Sequence, residues 1–422
     1  MKTILSYSQT DIVPIDSISN QACKSELFNT YKKKFENINK NYVYPDSNQK
    51  NIIKEINVRS QSQFLESISE DDYLCSNETL TYLQSLFDEV LSKNKIDATN
   101  YRILLSKETE VNAFNFGEGT VVVNYGLFLA IENEDELIFV ISHEIGHQYL
   151  NHVKKEIEEY AKLSTSKEIA EKTKEIEKQK YKKASKANDL LKNITYQSYS
   201  KRRKKEIEAD SLGLVFYKKT MRNPKAGVKL LEKLEDSDRE KDSLTVDDFK
   251  LIFEENGFKI KEKFFVEEEE SLFKKYDSEK RINADSLKSH PDCSTRIQLV
   301  KKYLNNKLEN DNYSKSSKFD NIKKNSINQN LLHLFSGKKY GYSLYEALKL
   351  YKKDKSNSFF KQIIFLSLTE LYKSRTNYTI NKYVPTSDKK NFSNSLNRYI
   401  HFLNNIKLSD YELLIANFNP EK

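Results

Sequence analysis

The sequence predicts a mainly helical α+β protein, and three observations predict it. Short runs rich in β-branched and aromatic residues, YRILL at 101–105, VNAFNF at 111–116 and TVVVN at 120–124, read as strands, with a turn at Gly117 to Gly119. Helical spacing dominates elsewhere: ETLTYLQSLFDEVLSK at 78–93 has apolar residues at 80, 83, 86, 87, 90 and 91. The composition agrees, with 31% charged residues, no Trp and only 9 Gly in 422 residues, as expected of a helix-rich chain with a Lys/Glu/Asn surface.

Taken in order, residues 1–74 form a polar extension with one helical candidate, SELFNTYKKKFENI at 25–38. The main domain is expected over 75–304. It holds the three strands, a short helix at 126–132, and a helix from about 134, where Asn133, Glu134 and Asp135 give the acidic start that suits a helix N-terminus. A Lys/Glu-rich insertion at 154–195 reads as charged helices with one face in solvent. KKEIEADSLGLVFYKK at 204–219 is a further helix, interrupted by Asn223 and Pro224 before KAGVKLLEKL at 225–234. Residues 235–285 carry no clear pattern, and SHPDCSTRIQLVKKYL at 289–304 reads as a loop entering a helix. An Asn/Ser/Lys-rich linker is expected at 305–328, then a C-terminal helical region at 329–422 with helices at 343–352, 358–373, 391–405 and 409–418. These helices offer a surface for a protein partner.

The formal charge of +8 is spread among interleaved acidic residues, which argues against a nucleic-acid partner. The longest apolar runs, LIFVI at 137–141 and IIFLSL at 363–368, fall far short of the ~20 residues a bilayer requires. No signal peptide is read at the N-terminus, so the compartment is cytoplasmic by default and periplasmic if a leader has been removed. Cys23, Cys75 and Cys293 are odd in number and widely spaced, and read as free thiols.

The chemistry concentrates at HEIGH, residues 143–147. Residues four apart share a helix face, so His143 and His147 can aim two imidazoles at one point, while Glu144 can reach a water bound there. Two metal ligands and a general base are the zinc-protease arrangement. A catalytic zinc needs a third protein ligand, and Glu206 in EIEAD is the best candidate. Asp210, one turn on, can accept a hydrogen bond from the far nitrogen of a ligating histidine. Glu208 should point elsewhere, and His152 falls off the ligand face; neither is given a role. His333 and His401 read as structural or exposed.

HEIGH, then EIEAD, then HPDCSTRI at 290–297 resemble the zinc metallopeptidase family that includes HtpX, the CAAX prenyl proteases and the soluble periplasmic BepA-like proteins. VNAFNFGEGTVVVNYGLF at 111–128 and NPKAGVKLLEKL at 223–234 are similar to the segments flanking that family's metal helices. The resemblance covers about residues 75 to 300. It implies a gluzincin-type fold with one Zn2+ per chain held by His143, His147 and Glu206, Glu144 as base and Asp210 behind the ligands. It also implies His290 in a loop over the site, and Arg296 matches the family's HPxxxxRI pattern. Two departures stand out: Gly117, Glu118 and Gly119 occupy the place of a more usual Pro-Gly-Gly, and membrane helices are absent, which points to a soluble branch.

The expected function is a zinc-dependent endopeptidase acting on unfolded or misfolded proteins. His290 or Arg296 would stabilise the oxyanion, and an extended substrate would add to the strand edge at Asn112 and Ala113. The alternative is a zinc-retaining, chaperone-like or interaction protein with little turnover.

Overall fold

The computed structural model describes residues 21–75, 77–179, 181, 183–235, 243–255, 257–266, 293–304 and 312–420. They fall into two compact units, one of residues 21–235 with 293–323, the other of 243–266 with 324–420.

The first unit is built around a three-stranded sheet of β1 (Arg102–Ser106), β2 (Ala113–Gly117) and β3 (Thr120–Asn124), in the order β1-β3-β2. β3 pairs parallel to β1 and antiparallel to β2, which leaves β2 at an edge. Gly117, Glu118 and Gly119 turn the β2–β3 hairpin with φ of 95°, 53° and 78°. Proline, fixed near φ −65°, could not hold the first of these positions. Two N-terminal helices, α1 (Gln21–Asn41) and α2 (Lys50–Ser69), lay Leu27, Tyr31, Phe35, Phe64 and Ile68 against Leu104 and Val122 of the sheet. The polar N-terminal extension therefore shares the sheet's core, and α2, which the sequence reading did not name, buries Ile53, Phe64 and Ile68.

Cys23 and Cys75 form a disulfide, which corrects the reading of these cysteines as free thiols. Wide spacing in sequence does not exclude closeness in space: the α1–α2 excursion returns the chain so that the two Cα atoms lie 6.1 Å apart.

Beyond the sheet come α3 (Glu78–Lys93), the short α4 (Leu127–Ala130) and α5 (Glu134–Tyr149). Helix α5 is buried from Glu134 to Gly146. Asn133 caps it, its side chain accepting from the Glu136 amide. Its buried acidic first turn is matched by cations: Arg222 lies 3.0 Å from Glu134, and Lys233 lies 2.8 Å from Glu136. Then come α6 (His152–Ser164), α7 (Lys167–Glu177), α8 (Lys183–Lys219), α9 (Lys225–Glu235) and α11 (Cys293–Tyr303). The end of the charged insertion and the EIEAD helix are one continuous helix, α8.

The second unit packs α10 (Val246–Glu254), α13 (Tyr340–Lys353), α14 (Ser358–Thr376), α15 (Asn394–Asn405) and α16 (Leu408–Phe418) around a phenylalanine-rich core. Phe249, Phe253, Phe258 and Phe264 share that core with Phe402 and Phe418. Residues 244–255 and 257–264 thus pack with the C-terminal helices. α12 (Ser317–Ser336) covers the last part of the segment read as a linker and buries Phe319 and Ile322 one turn apart.

The disulfide closes a sequence separation of 52 residues. On the chain-entropy account its loss should cost about 4 kcal/mol. Urea denaturation of a Cys23→Ser/Cys75→Ser variant should therefore show a lower midpoint than the oxidised protein, and reductant should shift the wild type towards the variant.

Candidate metal centre

The centre depends on how closely α5 and α8 approach. A Cβ on Gly213 would lie 2.9 Å from the His143 Cα, and one on Gly146 would lie 2.9 Å from the Ala209 carbonyl oxygen. Each helix presents a glycine to the other's backbone, so the facing side chains can converge across a short gap.

His143 and His147 point one way from successive turns of α5, with their Nε2 atoms 3.1 Å apart. Glu206 reaches them from α8, with Oε2 3.5 Å from His143 Nε2 and Oε1 3.4 Å from His147 Nε2. One ligand atom from each of the three lies within 4.8 Å of the others, the one such cluster among the described residues. A tetrahedral ion bound at about 2.0–2.1 Å spaces its ligand atoms about 3.3–3.5 Å apart, so two neutral imidazoles and a carboxylate at these separations suit a single divalent metal. Glu144 is 2% exposed. With His143 it borders a cavity of about 40 Å3, walled by Phe139, Val140, Leu230 and Leu231 and reached by Asn112 and Ala113.

Asp210, one turn beyond Glu206, places Oδ1 2.9 Å from His143 Nδ1. Arg296 from α11 donates to both oxygens of Asp210, Nε to Oδ2 at 2.6 Å and Nη2 to Oδ1 at 2.8 Å. Its Nη1 lies 3.5 Å from Glu206 Oε2. All are buried, and burial alone would push the Asp210 carboxyl up; Arg296 and His143 outweigh it and hold Asp210 well below the usual carboxylate range. Burial alone would likewise push His143 down, but Asp210 and Glu206 take it up to about 10. A cation entering between the rings therefore displaces a proton. The sequence offered Arg296 as an oxyanion donor; the fold turns its guanidinium onto Asp210 and Glu206, where it holds carboxylates in place. His290 lies outside the described residues.

Two residues that the sequence left without a role stand behind His147. His152 Nδ1 lies 3.0 Å from His147 Nδ1, and His152 Nε2 lies 3.1 Å from Glu208 Oε2. On one unbroken helix, five residues' separation would carry His152 off the ligand face. The helix does break: Asn151 takes a left-handed conformation, φ 54° and ψ 41°, and α6 starts afresh at His152. Asparagine tolerates that region better than most residues, so Asn151 was the available signal. The new axis returns His152 to His147, where burial keeps its ring below the ordinary histidine range against the opposing pull of Glu208. His333 in α12 is buried and His401 in α15 half-buried, both in the other compact unit.

Comparison with known proteins agrees with this geometry. The chain belongs to Peptidase family M48, whose profile matches residues 77–304, more than half of the sequence. Among the described residues no helix is long and apolar enough to cross a membrane. It is similar to a putative beta-barrel assembly-enhancing protease of Vibrio cholerae, 31% identical over 83 residues, which are 20% of this chain and 17% of that one. The beta-barrel assembly-enhancing protease of Yersinia pestis matches over the same shares, also at 31% identity. That of Escherichia coli K12 is 33% identical over 78 residues, 18% of this chain and 16% of the relative. The aligned stretch thus spans about one sixth of each relative's length.

The backbone approach is testable. Gly213→Val should force α8 off α5, at a cost of roughly 1–3 kcal/mol, and deplete the protein of metal. Ser211→Ala, on the exposed side of α8, serves as control. Chemical denaturation and elemental analysis of the purified variants read the two effects.

Proposed function

We propose that this chain is a zinc-dependent endopeptidase that cleaves extended segments of unfolded or misfolded proteins. The observation that carries the reading is the convergence of His143, His147 and Glu206 beside the buried carboxylate of Glu144. His143, His147 and Glu206 would hold the zinc ion. Bound there, zinc would acidify a water and polarise the scissile carbonyl.

The chain's own residues supply the rest. Glu144 takes the proton of the attacking water and hands it to the leaving amine. Asp210 orients His143, and Arg296 offsets the charge of two buried carboxylates. The remaining candidate for oxyanion donor is His290. Substrate enters as an added strand at the β2 edge near Asn112 and Ala113. Main-chain hydrogen bonds demand extended backbone and little sequence, which favours clients that have lost their fold.

The relatives' names connect those proteases with barrel assembly. Since the matched stretch is so small a part of them, what carries over here is the peptidase chemistry and not the client. The Cys23–Cys75 disulfide favours an oxidising compartment outside the cytoplasm.

Glu144→Gln separates the enzyme from a zinc-retaining binding protein. It should keep one zinc per chain and lose at least 100-fold in cleavage of unfolded casein. Equal behaviour of wild type and variant in a purified assay would sink the protease reading.

A further inference from the structure

We infer that His152 and Glu208 form a positioning relay that fixes the tautomer and tilt of His147, and so helps to set how tightly the centre holds its metal. This rests on the reading above that His147 is a ligand.

The argument follows the hydrogens. His147 Nε2 faces His143 and Glu206, and a metal ligand must present a lone pair there. The proton of the neutral His147 ring is then on Nδ1, which must donate. The atom opposite it is another ring nitrogen, His152 Nδ1, at 3.0 Å. Two N–H groups cannot meet head to head, so His152 Nδ1 must accept. Its own proton is then on Nε2, directed at Glu208 Oε2 3.1 Å away. Glu208 thereby selects the tautomer of His152, and His152 selects that of His147. One consistent set of proton positions satisfies both ring nitrogens of His147 and of His152.

The rings are also held in orientation. The His147 and His152 planes cross at 79° with centroids 4.9 Å apart, and the His152 side chain is 3% exposed. A buried imidazole is costly to dehydrate unless its nitrogens are bonded, and here each has a partner.

The two ligand histidines are thus supported differently. His143 meets a buried carboxylate directly, itself gripped by Arg296. The outer nitrogen of His147, Nδ1, reaches a carboxylate through a second imidazole, and that carboxylate is 59% exposed. Loss of an outer partner of a metal-bound histidine typically weakens metal affinity 10–100-fold.

The test uses the full chain and zinc in competition with a chromophoric chelator at fixed pH. His152→Ala and Glu208→Ala should each weaken zinc binding, the former by 10–100-fold. His152→Gln, whose amide oxygen can accept from His147, should lie between wild type and His152→Ala. In the cobalt-substituted protein, the exchangeable Nδ1 proton of His147 should give a slowly exchanging NMR signal that His152→Ala abolishes; a merely structural role would leave it in place. If His152→Ala fails to fold, Glu208→Ala decides, since its side chain is largely in solvent. Zinc affinity within twofold of wild type in Glu208→Ala, with the proton signal unchanged, overturns the relay. A wild type that binds zinc but does not cleave casein would remove the protease reading and leave this result intact.

Discussion

The candidate metal centre depends on backbone contact between α5 and α8. Two carboxylates on α8, Glu206 and Asp210, have to reach two imidazoles on α5, and neither is long enough to span an ordinary helix separation with a bulky residue between. Gly146 and Gly213 remove that bulk from both sides. Interiors packed at crystal-like density respond to even one added methylene, so the shape of the metal pocket is fixed by residues that carry no chemistry of their own.

Around that contact the electrostatics are arranged to keep acids charged in a dry place. Glu206 and Asp210 are almost fully buried, which is unfavourable without compensation. Arg296, also buried, supplies one positive charge to both. A divalent ion held by His143, His147 and Glu206 would add positive charge beside Glu206. The acidic first turn of α5 follows the same rule with Arg222 and Lys233.

What the sequence revealed was what short-range periodicity can reveal. His143 and His147, and Glu206 and Asp210, are each four apart on a helix, so their faces follow from helix geometry alone. TVVVN at 120–124 becomes β3 as read. His152 and Glu208 were illegible for a physical reason: their meeting needs Asn151 to leave the right-handed helix, and a change of axis erases the periodicity on which the reading relied. The Cys23–Cys75 pair and the grouping of residues 244–255 and 257–264 with the C-terminal helices depend on long-range packing, which local spacing does not encode. Arg296 was found by its place in a motif, but the direction of its guanidinium depends on where α11 docks.

Glu206, Glu208 and Asp210 occupy alternate positions on one stretch of α8, and each serves a different histidine or pair of histidines. A helix that slips by one residue turns by about 100° and advances about 1.5 Å. Such a slip would misdirect all three acids together, with no intermediate arrangement in which some still meet their rings. Assembly of the site is consequently quantised: α8 is either in register, with inner and outer partners both engaged, or out of register, with neither.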